Sequence, residues 1–226
     1  MGNRSLKVAT LLGLTGATFA TGAQATDIWD GFREGDIIFQ AAGQGLTEPP
    51  AGEEENPYTH VGIVRQTGGG PYVIDATPED GVFEVPIDDF VRRGAGNRYI
   101  VYRLAGVEGA AEISARAIEI AFEKYYLLPF DPFYRRDRSA FYDSELVQTA
   151  FAEAGAELGA VATVRELGIE TPGSGSPVFD DWQAHPDCAA AELEAEACWT
   201  LIRNQRVLTP ASLASDPKLS RVYSNF

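Results

Sequence analysis

Apolar and polar positions change their period along the chain, from the short runs of strands in the first half to helical spacing later. Ile37-Ile38-Phe39-Gln40 follows the turn signal Gly35-Asp36 and predicts a first strand. Residues 41–57, rich in Gly, Pro and Glu, read as a surface loop with room for one helical turn. Thr59–Val64 and Tyr72–Ala76 are β-rich runs joined across Gly68-Gly69-Gly70-Pro71, a hairpin signal. Gly81–Val85 and Arg98–Leu104 add two more strands, enough for a sheet that buries one face. From Glu108 to Tyr126 the apolar residues Ile113, Ala117, Ile120, Ala121 and Tyr125 recur at helical spacing. A second helix is predicted from about Asp143 to Ala154, closed by Gly155, with Leu146, Val147, Ala150, Phe151 and Ala154 on its inward face. Pro172–Pro177 reads as a loop, and Cys188–Leu201 as a stretch able to form a short helix. No repeat is visible.

The N-terminus changes the picture. Arg4 and Lys7 precede an uncharged run, Val8–Gly22, that ends at Ala23-Gln24-Ala25. This is the pattern of a secretory signal peptide cut after Ala25, and the run is too short and too rich in Gly and Thr for the roughly 20 apolar residues of a membrane span. The expected organisation is residues 1–25 as signal peptide and residues 26–226 as a single domain, exported to the periplasm or beyond, with no stable membrane insertion after cleavage. Losing Arg4 and Lys7 moves the formal charge from −15 to −17. Such a field repels nucleic acid and anionic membranes and favours solubility.

Cys188 and Cys198 are the only cysteines. Compartment favours a disulfide between them, with two reduced buried thiols as the other reading. On one unbroken helix they would lie about 15 Å apart at 1.5 Å per residue. A disulfide needs Cα atoms about 4.4–6.8 Å apart, so a bridge requires a turn or helix break between them. Neither cysteine has the flanking sequence of a nucleophile. Two cysteines and two distant histidines make no recognisable zinc site. His185, in Ala184-His185-Pro186-Asp187, reads as a loop residue.

Five segments in order, Gly35–Phe39, Tyr58–Val64, Val73–Ala76 with Gly81-Val82, Phe130–Phe133 and Tyr142–Val147, resemble the YaeF/YiiX-type permuted papain-like amidases of the NlpC-like cysteine hydrolase superfamily. Leu208–Leu213 and Arg221–Tyr223 resemble that family's C-terminal end. The resemblance implies an α+β fold, an antiparallel sheet packed against helices, permuted so that the histidine strand precedes the nucleophile helix. It also implies hydrolysis of small amide-bonded substrates, peptide or cell-wall-derived, without a cofactor.

In such a site a helix N-terminus lowers the pKa of a nucleophile, a facing histidine takes and returns its proton, and a carboxylate holds the imidazole in the useful tautomer. His60 and Asp75 fit the last two roles. If the hairpin pairs them, cross-strand Cβ atoms about 4.5–5.5 Å apart bring the carboxylate to the ring. By the resemblance, Asp143 occupies the place of the catalytic cysteine, and its neighbours Tyr142 and Ser144 are candidate substrate-binding residues. Aspartate at a helix start is also a favoured N-cap. Beside a histidine it forms an ion pair that favours the imidazolium.

Three functional readings follow from Asp143. The first is an amidase homologue whose catalysis is in question. The second is a secreted pseudoenzyme or binding module that holds an acyl or peptide ligand. The third is altered catalysis, through Ser144 or through a metal gathered by His60, Asp75 and Asp143. Ser144 is rotated by about 100° around the helix from the nucleophile position, which counts against it.

Overall fold

The computed structural model describes residues 29, 31–41, 58–171 and 181–226. The expected signal peptide and most of the 41–57 and 172–177 loops lie outside these.

The five expected strands are present: β1 (Ile37–Gln40), β2 (His60–Thr67), β3 (Gly70–Thr77), β4 (Gly81–Pro86) and β5 (Tyr99–Leu104). A sixth, β8 (Leu219–Ser224), pairs with β5 and completes an antiparallel sheet of order β4-β3-β2-β1-β5-β8. At the β2–β3 hairpin the Thr67 hydroxyl donates to the Gly70 carbonyl, 2.6 Å, and accepts from the Gly69 N–H, 3.2 Å. Gly70 follows at φ +112°, where a side chain would be strained.

Alternation along the strands divides the sheet into two buried faces. Ile37, Phe39, Val61, Ile63, Ile74, Ala76, Ile100 and Leu104 form the main core with two helices. One is α2 (Ala110–Ile120), extended by a π-helical turn, Ala121–Tyr125. The other is α3 (Asp143–Ala154), which contributes Leu146, Val147, Ala150 and Phe151. Its C-terminus is closed by Gly155 at φ +114°, whose N–H donates to the Phe151 and Ala152 carbonyls, as expected of a glycine just past a helix end. On the other face Ile38, Val64, Val73 and Val101 are also buried. A helix not anticipated from the sequence, α1 (Ile87–Arg93), packs on β3 and β4 with Ile87 and Phe90 buried.

A second, smaller core gathers Tyr134, Tyr142, Val164, Ile169, Cys188, Cys198, Ile202 and Val207. Its elements are the short ribbon β6 (Ala162–Thr163) with β7 (Arg206–Val207), and the helices α4 (Pro186–Ala190) and α5 (Ala195–Arg203); α6 (Pro210–Ala214) leads on to β8. The stretch read as one helix from Cys188 to Leu201 is therefore two, broken over residues 191–194. That break lets Cys188 and Cys198 form a disulfide with Cα atoms 5.2 Å apart. Closing a loop this short removes about 2–3 kcal/mol of unfolded-chain entropy. The double variant Cys188→Ser/Cys198→Ser should lose about that much stability in urea unfolding, and wild type under reductant should match it.

Candidate active site

His60 opens β2, and the Thr59 N–H before it donates to the Gln40 carbonyl at 3.1 Å. Its ring stacks on Phe90 of α1, centroids 5.6 Å apart. Asp75 is not its direct cross-strand partner. The β2–β3 register runs through Ile63 opposite Ile74, which sets Asp75 opposite Gly62, two pairs along from His60 and on the same face of the sheet. The carboxylate reaches the ring diagonally, with His60 Nε2 to Asp75 Oδ2 at 2.8 Å. Gly62 is needed at that crossing. A Cβ there would come within 2.4 Å of Val73 Cγ1, 2.9 Å of the Ile74 carbonyl oxygen and 3.2 Å of Asp75 Cβ.

Asp75 is buried and takes a second charged donor, Arg93 at the end of α1, at 2.6 Å. The Arg93 guanidinium also lies over the Phe90 ring, 5.4 Å from its centroid. Phe90 and Arg93 thus belong to the site although the sequence reading did not name them. The signal was present: Ile87 and Phe90 at i, i+3, acids in the first turn and arginines in the last, directly after Pro86.

Asp143 is the first residue of α3 and not its cap; Tyr142 holds the cap position without a side-chain hydrogen bond. The Asp143 carboxylate instead ties the helix to the strand. Oδ2 accepts from His60 Nδ1 at 2.9 Å and from the Val61 N–H at 3.1 Å. Oδ1 accepts from the Ser144 N–H at 2.6 Å and from the Ser144 hydroxyl at 3.2 Å. A carboxylate offers about four lone-pair sites, and here four donors occupy them.

Burial pulls the His60 imidazole toward its neutral form, but hydrogen bonds and charge from Asp143 and Asp75 outweigh it and raise the pKa to about 9. At neutral pH both ring nitrogens carry protons and donate to carboxylates. Two cations, His60 and Arg93, face two anions, Asp75 and Asp143.

Ser144 and Tyr142 are both enclosed. The Ser144 hydroxyl is spent on Asp143, and the Tyr142 hydroxyl accepts from the Leu208 N–H at 3.0 Å. Glu145, next along α3, is buried with Oε2 unpartnered, and desolvation raises its pKa to about 8. The two ring nitrogens of His60 engage carboxylates at opposite edges of the imidazole, so Asp75 and Asp143 do not converge with it on one ion. No cluster of three metal-ligating side chains occurs among the described residues. With both cysteines joined to each other, the site has no thiol.

A histidine strand that precedes, in sequence, the helix whose N-terminus it faces is the arrangement of a permuted papain-like fold. The family described as permuted papain-like amidase enzyme, YaeF/YiiX, C92 family, matches residues 31–223, and the chain belongs to it. Among solved structures, that of the metalloprotein YiiX from Escherichia coli O157:H7 is similar, with a TM-score of 0.65 and 21% identity over 86% of this chain and 98% of that one. No curated protein matches.

Proposed function

We propose that this protein is a ligand-binding member of the amidase family, one that holds a small amide-bonded, peptide or acyl ligand at the His60–Asp143 site without cleaving it through an acyl-enzyme. The observation that carries this reading is the saturated Asp143 carboxylate facing a doubly protonated His60. Acyl transfer needs a nucleophile with a free lone pair and a base able to take its proton. Asp143 has no free lone pair, and its attack on an amide would yield a reactive anhydride. His60 has no basic nitrogen to offer at neutral pH.

The similar E. coli protein is described as a metalloprotein. The geometry at His60 does not fit a metal, because each ring nitrogen serves a different carboxylate, so no step is routed through one. We further propose that the chain is exported. The N-terminal leader pattern supports this, as does a disulfide of the kind that persists in oxidising compartments.

The test is turnover of a panel of amides, peptides and esters by wild type, Asp143→Cys and Asp143→Cys/His60→Ala. Wild type should be inactive and the cysteine variant active, with loss of His60 lowering its rate by about 10²–10⁴-fold. Turnover by wild type that depends on His60 would defeat the proposal.

A further inference from the structure

We propose that Arg93 is the ligand-recognising arm of this site, and that the ligand it selects carries a free carboxylate close to its amide bond. The inference rests on the reading of the site just given and deepens it by naming the class of ligand. Distances fix Arg93 beside His60. Arg93 Nη2 and His60 Nε2 bond to the same oxygen, Asp75 Oδ2, at 2.6 and 2.8 Å, so they can lie no farther apart than those two bonds end to end. The backbone agrees. Gly94, next in the chain, is seated on Gln40, where a Cβ would come within 2.7 Å of Oε1, and Gln40 is the residue directly opposite His60 in the β1–β2 ladder. The guanidinium lies over Phe90, and Phe90 is stacked with the imidazole, so one aromatic ring supports both cations.

Arg93 differs from the other charged groups of the site in facing outward. Its side chain is 36% exposed, against 12% for His60, 11% for Asp143 and 2% for Asp75. The bond to Asp75 is its one hydrogen bond among the described residues, and it uses a single N–H. A guanidinium carries five in a planar fork. An ion pair to one carboxylate oxygen needs only one donor, which a lysine could supply. The fork is the geometry that grips a carboxylate through two parallel N–H bonds. His60 has both ring N–H groups committed to Asp75 and Asp143, and the two aspartates have no donor to give. An anion arriving at these four groups therefore finds its open donors on Arg93.

The same geometry sets the reach. Asp143 lies at the Nδ1 edge of His60 and Arg93 beyond its Nε2 edge. From the Asp143 carboxylate through the ring to the guanidinium is at most about 10 Å, the span of about three residues of extended chain at roughly 3.3–3.6 Å each. A ligand whose amide sits at the N-terminus of α3 thus brings a carboxylate up to three residues away onto Arg93. Short peptides with a free C-terminus, or with an acidic side chain, meet this requirement; their neutral counterparts leave the fork in water. The negative charge of the whole chain does not forbid such a ligand, because at physiological salt it is screened beyond about 8 Å, whereas the forked pair acts at contact.

The test measures binding of N-acetyl-trialanine and of its C-terminal amide to wild type, Arg93→Gln and Arg93→Lys by calorimetry, with thermal unfolding confirming that each protein is folded at the assay temperature. Wild type should prefer the acid by about tenfold to a hundredfold, the factor that hydrogen bonding between charged groups supplies. Arg93→Gln should abolish the preference by weakening the acid alone, with the affinity for the amide as in wild type. Arg93→Lys keeps a cation against Asp75, and so serves where the glutamine variant fails to fold. It should retain the preference at a reduced ratio, because an ammonium cannot make the parallel pair. Equal affinity of wild type for the two peptides, a ratio undiminished in either variant, or an equal weakening of both peptides, as a purely structural Arg93 would give, would overturn this inference and leave the reading of the site standing. Binding of neither peptide by wild type would overturn both.

Discussion

Asp143→Ala should lower the unfolding free energy at pH 7 by about 3–5 kcal/mol, the range for removing one partner of a buried ion pair. Two losses combine. The Val61 N–H, buried between strand and helix, is left without an acceptor, which costs about 1–3 kcal/mol. The His60 imidazolium keeps only Asp75, and its pKa falls from about 9 toward the ordinary value. That fall limits the electrostatic part, since the ring can shed its proton once holding it costs more than releasing it. Asp143→Asn should cost less, about 2 kcal/mol, because its carbonyl oxygen still serves Val61 while its amide meets the Ser144 N–H as donor to donor. Urea unfolding of the three proteins checks this order. Equal costs for alanine and asparagine would mean that the charge on Asp143 contributes nothing.

Stability should fall as the pH rises above neutrality. The folded-state pKa of His60, about 9, lies above the 6.5 of an unfolded chain, so its contribution is fully present below pH 6.5 and lost as the pH passes 9. At 1.36 kcal/mol per unit the loss is about 3 kcal/mol. Glu145 acts in the same direction over a lower window. Its pKa, raised from 4.5 to about 8, makes the buried acid favour the folded state at pH 4.5 and oppose it increasingly up to pH 8. The growing negative charge of an acidic chain adds a general decline. Variants separate the three: His60→Gln should flatten the curve between pH 8 and 9, Glu145→Gln should flatten it below pH 8, and added salt should weaken only the general part. A His60→Gln profile parallel to wild type across pH 6.5–9 would show that the imidazole is not held protonated by its two carboxylates.

The strands and the second helix were legible because each carries its own signal. β1 to β5 are short apolar runs bounded by glycine, and α3 has five apolar positions at helical spacing with Gly155 behind them. The proximity of His60, Asp75 and Asp143 came from a resemblance, and their geometry did not follow from it. Whether Asp75 lies opposite His60 or two pairs along depends on where in the run of three glycines the chain turns, a choice no residue pattern settles. β8 escaped because an edge strand with one firmly buried residue has no alternation to read, and its partner β5 is far away in sequence. α1 is two turns long, and its signal lies in the flanking charges, since three apolar positions, Ile87, Phe90 and Val91, are too few to set a period.

The pairing of β5 with β8 has a consequence for the order in which the protein can assemble during its synthesis. Ile100 lies opposite Ser224, so the outer edge of β5 waits for a strand made more than a hundred residues later. At roughly 5–20 residues per second that interval is about 6–25 s. Throughout it the nascent sheet presents unpaired N–H and C=O groups along an apolar strand, a template for the wrong neighbour. The meander from β1 to β4 can form early from local contacts, whereas closure of the sheet is necessarily late. Until β8 docks, the chain depends on whatever shields that edge.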